Sequence, residues 1–185
     1  MQRLLPASTA VVVVDVQERL AAAMPEQQLR EVLRASRILL EAARLLGAPV
    51  FVTEQYPKGL GPTLAELEPT LVAAGAKRFE KDAFSAADAP GFAEALIASG
   101  AKAAVVVGME SHVCVYQTVR DLVARGLEVH VPIDGVSSRR DDHREAGISL
   151  AERAGAVRTT TESVVFDWLV RAGSDEFKQL SKLIR

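Results

Sequence analysis

Cysteine occurs once in these 185 residues, histidine three times, and aromatic side chains make up only 5% of the chain. A single cysteine, Cys114, forms no intrachain disulfide, so the fold must rest on its core, and a reducing compartment, the cytoplasm, is the expected setting. Few aromatics and a formal net charge of −2 provide neither a base-stacking platform nor a basic field, so no nucleic-acid or membrane partner is expected. The longest apolar runs, such as 10–14 and 103–108, are far too short to span a bilayer. The opening residues, Met1 to Pro6, carry no extended apolar stretch ahead of a small-residue cleavage site, so no signal peptide is expected. No Pro/Ser-rich linker, repeat or low-complexity tract divides the chain. Its length suits one domain spanning 1–185.

What the chain does have is an alternation of two kinds of segment. Short, β-branched apolar runs occur at 10–14, 49–53, 103–107 and 128–133, with shorter candidates at 78–81 and 156–159. Between them lie helical patterns, for example Leu29, Val32, Leu33, Ile38, Leu39, Ala42 and Leu46, and residues 175–184 read as a last helix. Continuous rather than alternating apolar runs are the mark of strands buried on both faces. The repetition therefore predicts an α/β fold: a three-layer α/β/α domain with a Rossmann-like parallel sheet of about six strands. Gly47, Gly100 and Gly126 each follow a helical stretch, where glycine accepts the left-handed turn that ends a helix. The segments 148–156 and 164–170, with Trp168, carry more apolar surface than one sheet face covers, which points to a homo-oligomer.

Ligands of open parallel sheets bind beyond the carboxyl ends of the strands, where strand order reverses. The first strand ends at Asp15-Val16-Gln17. The run 103–107 leads into Gly108-Met109-Glu110-Ser111-His112-Val113-Cys114, where a helix begins. If the first and fourth strands flank the reversal, Asp15 and Cys114 face each other. An aspartate there also reads as a helix cap or metal ligand, and a lone cysteine as a small buried hydrophobe. At a helix N-terminus, however, unpaired N–H groups and the dipole favour thiolate, so a depressed thiol pKa is expected. A charged stretch, Arg78 to Ser85, supplies Lys81, with Lys77 as an equally charged rival. The first strand–helix turn, Asp15 to Leu20, lacks the glycines that a pyrophosphate needs, and no P-loop is present, which disfavours a nucleotide-binding domain.

Five stretches in register carry a family resemblance that covers nearly the whole chain. They are Asp15-x-Gln17 after the first strand; Lys81-x-x-Phe84-Ser85; Gly108-Met-Glu-x-His-x-Cys114 followed by Thr118; Thr53-Glu54-Gln55-Tyr56-Pro57-Lys58-Gly59-Leu60-Gly61; and Asp134-Gly-Val-Ser137-Ser138-Arg139. The chain resembles the isochorismatase-like cysteine hydrolases, which include nicotinamidases and N-carbamoylsarcosine amidases, and within them the isochorismatase domain-containing proteins. The resemblance implies the isochorismatase-like hydrolase fold and a triad of Cys114, Asp15 and Lys81, the family's Phe-Ser pair selecting Lys81 over Lys77. It also implies a cis Met109–Glu110 peptide, an oxyanion hole built from the Glu110 and Cys114 backbone N–H groups, and pocket walls formed by Gln17, Gln55, Tyr56 and Phe84. The implied reaction is hydrolysis of a C–N bond, amide or carbamoyl, in a small-molecule substrate through an acyl-thioenzyme on Cys114. Self-association is likewise a family expectation. Nicotinamidases hold a metal through an aspartate and a histidine pair between the first two strand ends. No histidine lies in 53–59, and His112, His130 and His143 have no metal-cluster spacing. No metal and no cofactor are therefore expected, and nicotinamide is disfavoured. Isochorismatase proper uses no cysteine here, which disfavours vinyl-ether hydrolysis. The alternative is a catalytically silent binding or scaffold protein of the same fold.

Overall fold

The computed structural model describes residues 3–185; Met1 and Gln2, part of both the expected domain and the N-terminal stretch read for a signal peptide, lie outside the described residues. The first half runs β1 (Thr9–Val14), α1 (Glu18–Ala21), α2 (Glu26–Leu46), β2 (Val50–Gln55), α3 (Pro57–Leu60), α4 (Glu68–Ala73), β3 (Lys77–Lys81) and α5 (Phe92–Ala98). The second runs β4 (Ala103–Met109), α6 (Tyr116–Ala124), β5 (Glu128–Pro132), β6 (Val136–Ser137), α7 (Asp141–Arg153), β7 (Val157–Thr159), α8 (Thr161–Leu169) and α9 (Asp175–Ile184). Helix α2 buries one stripe, Val32, Leu33, Ile38, Leu39 and Ala42 among it, as residues spaced three and four apart must. It ends where Gly47 turns left-handed at φ 76° and its N–H closes on the Ala43 carbonyl at 2.8 Å.

The strands form one parallel sheet in the order β3-β2-β1-β4-β5-β7. The two-residue β6 adds a seventh strand beside β4, where about six were expected. A strand that short has no hydrophobic period to read. All six residues of β1 are buried because both faces are covered. On one face Val11 and Val13 pack with Leu39, Leu40, Trp168 and Leu180; on the other Ala10, Val12 and Val14 pack with Phe92, Leu122 and Ile148. The fold is a three-layer α/β/α sandwich.

Ile148, Ala151, Val164, Val165, Trp168 and Leu169 are buried in the chain's own core, whereas Leu150, Phe166 and Val170 of the same segments stay exposed. Part of the apolar surface of 148–156 and 164–170 is thus spent on the core and part faces outward. Among the described residues no helix is long and apolar enough to cross a membrane.

From β1 the chain steps outward through β2 to β3, then returns to β4 on the other side of β1. That reversal makes β1 and β4 the switch point. Gly108, at φ 123°, lies against β1 so closely that a Cβ there would stand 2.0 Å from the Val14 carbonyl oxygen. The two strand ends that carry the candidate chemistry are thus pressed together.

Candidate active site

Asp15 is the first residue beyond β1 and adopts a left-handed backbone at φ 52°, a conformation that a short polar side chain tolerates better than most. Its N–H donates to the Thr53 carbonyl at 3.2 Å and its carbonyl accepts from the Gln17 N–H at 2.8 Å. Those bonds hold the carboxylate beyond the strand end. Thr53 Oγ1 donates to Asp15 Oδ1 at 2.7 Å, and Lys81 Nζ donates to Oδ2 at 2.7 Å. Thr53 arrives there by register, since it pairs with Val14 across β1 and β2.

Lys81 closes β3 in register with Gln55. Its side chain and that of Asp15 are both fully buried. The ammonium also donates to Gln55 Oε1 at 2.7 Å and reaches the Phe84 and Ala83 carbonyls at 3.0 and 3.3 Å. Three protons meet four acceptors, so the cation is pinned. Lys77 begins the same strand and is exposed. The lysine that meets Asp15 is Lys81.

Cys114 is the fourth residue of a π-helical turn, Ser111–Val115, that precedes α6. The Glu110 carbonyl accepts from Val115 N at 3.2 Å and from Val113 N at 3.1 Å, the wider loop that defines such a turn and that recurs at functional sites. The Met109–Glu110 peptide is cis. The thiol is only 6% exposed. Burial pushes it up to about 12, the Asp15 carboxylate adds to the rise, and the Lys81 ammonium opposes it without prevailing. The sequence-based expectation of a depressed thiol pKa is therefore corrected. Loss of water around the sulfur is the largest cause of the rise, and the resting group is a thiol beside a carboxylate.

The four expected wall residues divide into two pairs. Gln17 is fully buried; its amide donates to the Gln55 and Gly61 carbonyls at 3.0 and 2.6 Å and accepts from Gln55 N at 2.7 Å. It ties two loops together and has no atom free for a ligand. Gln55 spends its oxygen on Lys81 and its Nε2 on the Asp82 carbonyl at 2.8 Å. Tyr56 and Phe84 are 55% and 53% exposed, and Tyr56 lines the neighbouring cavity whereas Phe84 does not. Tyr56 adopts φ 37°, and its ring covers Gly59, where a Cβ would come within 2.2 Å. A cavity of about 330 Å³ opens beside it, lined by Pro57, Lys58, Asp82 and Pro90 as well as Lys81.

The groups that hold these residues in place are not evident from the sequence. Thr53 appeared only as part of a motif, and its hydroxyl is legible only once the β1–β2 register is known. The stretch 134–139 carried no assigned role, yet Arg139 grips the Glu110 carboxylate through its backbone N–H at 3.1 Å and its Nε at 3.0 Å.

The strand ends do not fit a metal. Glu54 Oε1 already accepts from Thr63 N at 2.8 Å, from Thr63 Oγ1 at 2.7 Å and from Arg78. Burial pushes this carboxyl up, but those donors prevail and hold it below the usual carboxylate range. Asp15 is taken by Lys81. Among the described residues no three His, Cys, Asp or Glu side chains converge.

The isochorismatase domain model matches residues 9–163 of this chain. A Salmo salar protein named isochorismatase domain-containing protein 1 is 38% identical over 98% of the chain but only 62% of its own length, so the chain spans about three fifths of that relative. Among solved structures, one described as the MAR1 ribonuclease of Caenorhabditis elegans is 39% identical, with a TM-score of 0.91, covering 99% of this chain and 92% of that one. The YcaC gene product of Escherichia coli, described as an octameric hydrolase of unknown specificity, is 22% identical with a TM-score of 0.89, covering 98% and 90%. At that identity the likeness is one of fold.

Proposed function

The chain belongs to the isochorismatase family, and from that premise we propose that it is a cysteine hydrolase acting on an amide or carbamoyl C–N bond of a small molecule. The observation that carries this reading is the fully buried Asp15–Lys81 pair beside the thiol of Cys114. A buried ion pair is a poor stabilising device compared with apolar packing, so its presence calls for a chemical purpose. In the proposed reaction Cys114 Sγ attacks the carbonyl carbon as Asp15 takes the thiol proton. The Glu110 and Cys114 backbone N–H groups receive the developing oxyanion, a contribution of about 3–4 kcal/mol per donor in comparable sites. Asp15 passes its proton to the leaving nitrogen, leaving an acyl-thioenzyme. Water then adds to the thioester, giving its proton to Asp15, and the acid departs as Cys114 regains a thiol. Lys81 stays protonated and offsets the Asp15 charge. A raised thiol pKa is compatible with this sequence because the proton leaves during attack rather than before it.

The same raised thiol favours a second reading, a silent binding protein of this fold, in which no nucleophile is needed. Ammonia release from a panel of small carboxamides and carbamoyl compounds decides between them, with mass spectrometry of Cys114 for the acyl adduct. Release with a trapped adduct supports the hydrolase; ligand binding with neither supports the silent protein. The ribonuclease name of the Caenorhabditis elegans neighbour makes RNA the proper third arm of that panel. A net charge of −2 gives little to hold a phosphate backbone, and no cleavage of RNA is expected. The octameric description of YcaC supports self-association, which light scattering across micromolar concentrations tests; a monomer mass throughout overturns it.

A further inference from the structure

The motif 134–139 has no role in the reaction just proposed, and it lies under the nucleophile turn. Strand β6, Val136–Ser137, pairs with Gly108 and Met109, which brings Ser138 beside Ser111. Ser138 is fully buried. Its Oγ meets three groups of that turn: Ser111 N at 3.1 Å, Ser111 Oγ at 2.7 Å and His112 Nδ1 at 3.0 Å. Ser111 Oγ in turn donates to the Arg144 carbonyl at 3.2 Å. The turn is closed from behind by α7, where a Cβ on Gly147 would stand 2.4 Å from the Ser111 carbonyl carbon.

With a neutral His112, one arrangement of protons satisfies all four contacts of this cluster. A serine hydroxyl has one proton and two lone pairs. Ser111 spends its proton on the Arg144 carbonyl, so it accepts from Ser138. Ser138 has then spent its own proton, and it accepts from both Ser111 N–H and His112. Burial holds the His112 pKa below its ordinary value, so near neutrality the uncharged ring donates through Nδ1 and leaves Nε2 bare, although Nε2–H is the form a free neutral imidazole prefers. From this closed network we infer that Ser138 is a positioning residue. It fixes the turn Glu110–Cys114 through the Ser111 N–H and locks His112, two residues before the nucleophile, in the Nδ1–H tautomer. Ser138 touches no substrate; it acts through the backbone that aims Cys114 and its neighbouring N–H groups. The inference rests on the cysteine-hydrolase reading only for its consequence on turnover.

Three measurements on the full chain test it. Nitrogen NMR at pH 8 on histidine-labelled wild-type protein is expected to show His112 protonated at Nδ1 and bare at Nε2; the reverse tautomer overturns the inference without any variant. In Ser138→Ala the Ser111 amide is expected to exchange with solvent about tenfold faster or more, since its buried acceptor is gone, while the β4 amides of Val105 and Val106 keep their protection. Uniform loosening of turn and sheet, or no change, overturns the positioning role. On any amide the wild type turns over, Ser138→Ala is expected to lower kcat about tenfold or more while KM stays within about twofold, because a buried residue behind the turn serves transition-state alignment rather than binding. An unchanged kcat overturns it. If the wild type releases ammonia from no amide, the hydrolase reading fails, and the tautomer and exchange measurements still decide this one.

Discussion

Lys77 and Lys81 occupy opposite ends of one five-residue strand, and their surroundings differ in every respect that matters for an ion. Lys77 projects into solvent, with water to satisfy its charge. Lys81 is enclosed, its ammonium held by a carboxylate, an amide oxygen and two carbonyls. Strand β1 shows the same asymmetry: Val11 to Val14 are packed among apolar side chains, and one residue later Asp15 is a buried charge in a left-handed backbone. Apolar burial accounts for the middle of the sheet without reference to function. At the carboxyl ends the rules of folding are broken together, by a buried ion pair, a π-helical turn and non-glycine residues at positive φ. Such a concentration of departures at one end of a sheet is how a site announces itself.

The sharpest test of that contrast sets two substitutions a few residues apart on one helical stretch against each other. Cys114→Ala is expected to lower turnover at least about 10⁴-fold, as loss of a nucleophile does, with the melting temperature nearly unchanged. Val119→Ala, fully buried in the core, is expected to do the reverse, lowering stability by about 2 kcal/mol and leaving kcat intact. Ammonia-release kinetics and a thermal melt on both proteins check it; residual full activity in Cys114→Ala removes the nucleophile from Cys114.

The next comparison is between the two lysines. Lys81→Ala leaves the Asp15 carboxylate buried without its partner, so a stability loss of about 3–5 kcal/mol is expected together with near-complete loss of turnover. Lys77→Ala is expected to fall within about 0.5 kcal/mol of wild type, like other exposed substitutions, with activity unchanged. Equal effects at the two positions, in denaturant melts and turnover, erase the distinction between the strand ends.

How much of this contrast the residues reveal before folding depends on the distance over which each feature is specified. The layers, the parallel sheet and the helix ends at Gly47, Gly100 and Gly126 are local: continuous apolar runs, helical periods and glycines write them out. Asp15 and Cys114 are legible as candidates because topology places ligands at a strand reversal, and each follows a readable strand. Lys81 was not separable from Lys77 by its own neighbourhood; only the Phe84-Ser85 resemblance chose it, because its partner lies 66 positions away. Gln17 and Gln55 are wall residues by the resemblance alone, and their amides are engaged by the loops and by Lys81. The thiol pKa was misread for a similar reason. A helix N-terminus is visible in the sequence, whereas the depth at which the sulfur is buried is a property of the assembled sheet.

That depth gives a smaller but directional prediction. Because burial raises the thiol to about 12, the protonated form dominates near neutrality, and the thiolate fraction grows about tenfold per pH unit on the acidic side of its midpoint. The rate of iodoacetamide alkylation of Cys114 is therefore expected to climb steadily between pH 7 and pH 10 without a plateau. Turnover, which hands the proton to Asp15 during attack, is expected to be measurable at pH 7. A plateau in alkylation near neutrality would show a preformed thiolate, and would move the helix end above burial in importance.

The smallest effect expected is none, on removal of divalent metals. A metal at these strand ends would need oxygen or nitrogen ligands with free lone pairs aimed at one point. Asp15 offers Oδ1 to Thr53 and Oδ2 to Lys81, both at 2.7 Å, and Glu54 Oε1 already serves three donors. The Lys81 ammonium itself occupies the place a cation would take, and a second positive charge 4 Å away would meet repulsion of about 4 kcal/mol per unit charge at intermediate dielectric. Retracting Lys81 to make room would strip Gln55 Oε1 and two carbonyls of their donor. Prolonged dialysis against EDTA is accordingly expected to leave kcat and KM unchanged, with elemental analysis finding no stoichiometric zinc, iron or manganese. Activity lost to the chelator and restored by one particular ion would mean that the buried lysine yields to a metal in the working enzyme. The contrast between the strand ends would then have to be redrawn around that ion rather than around Lys81.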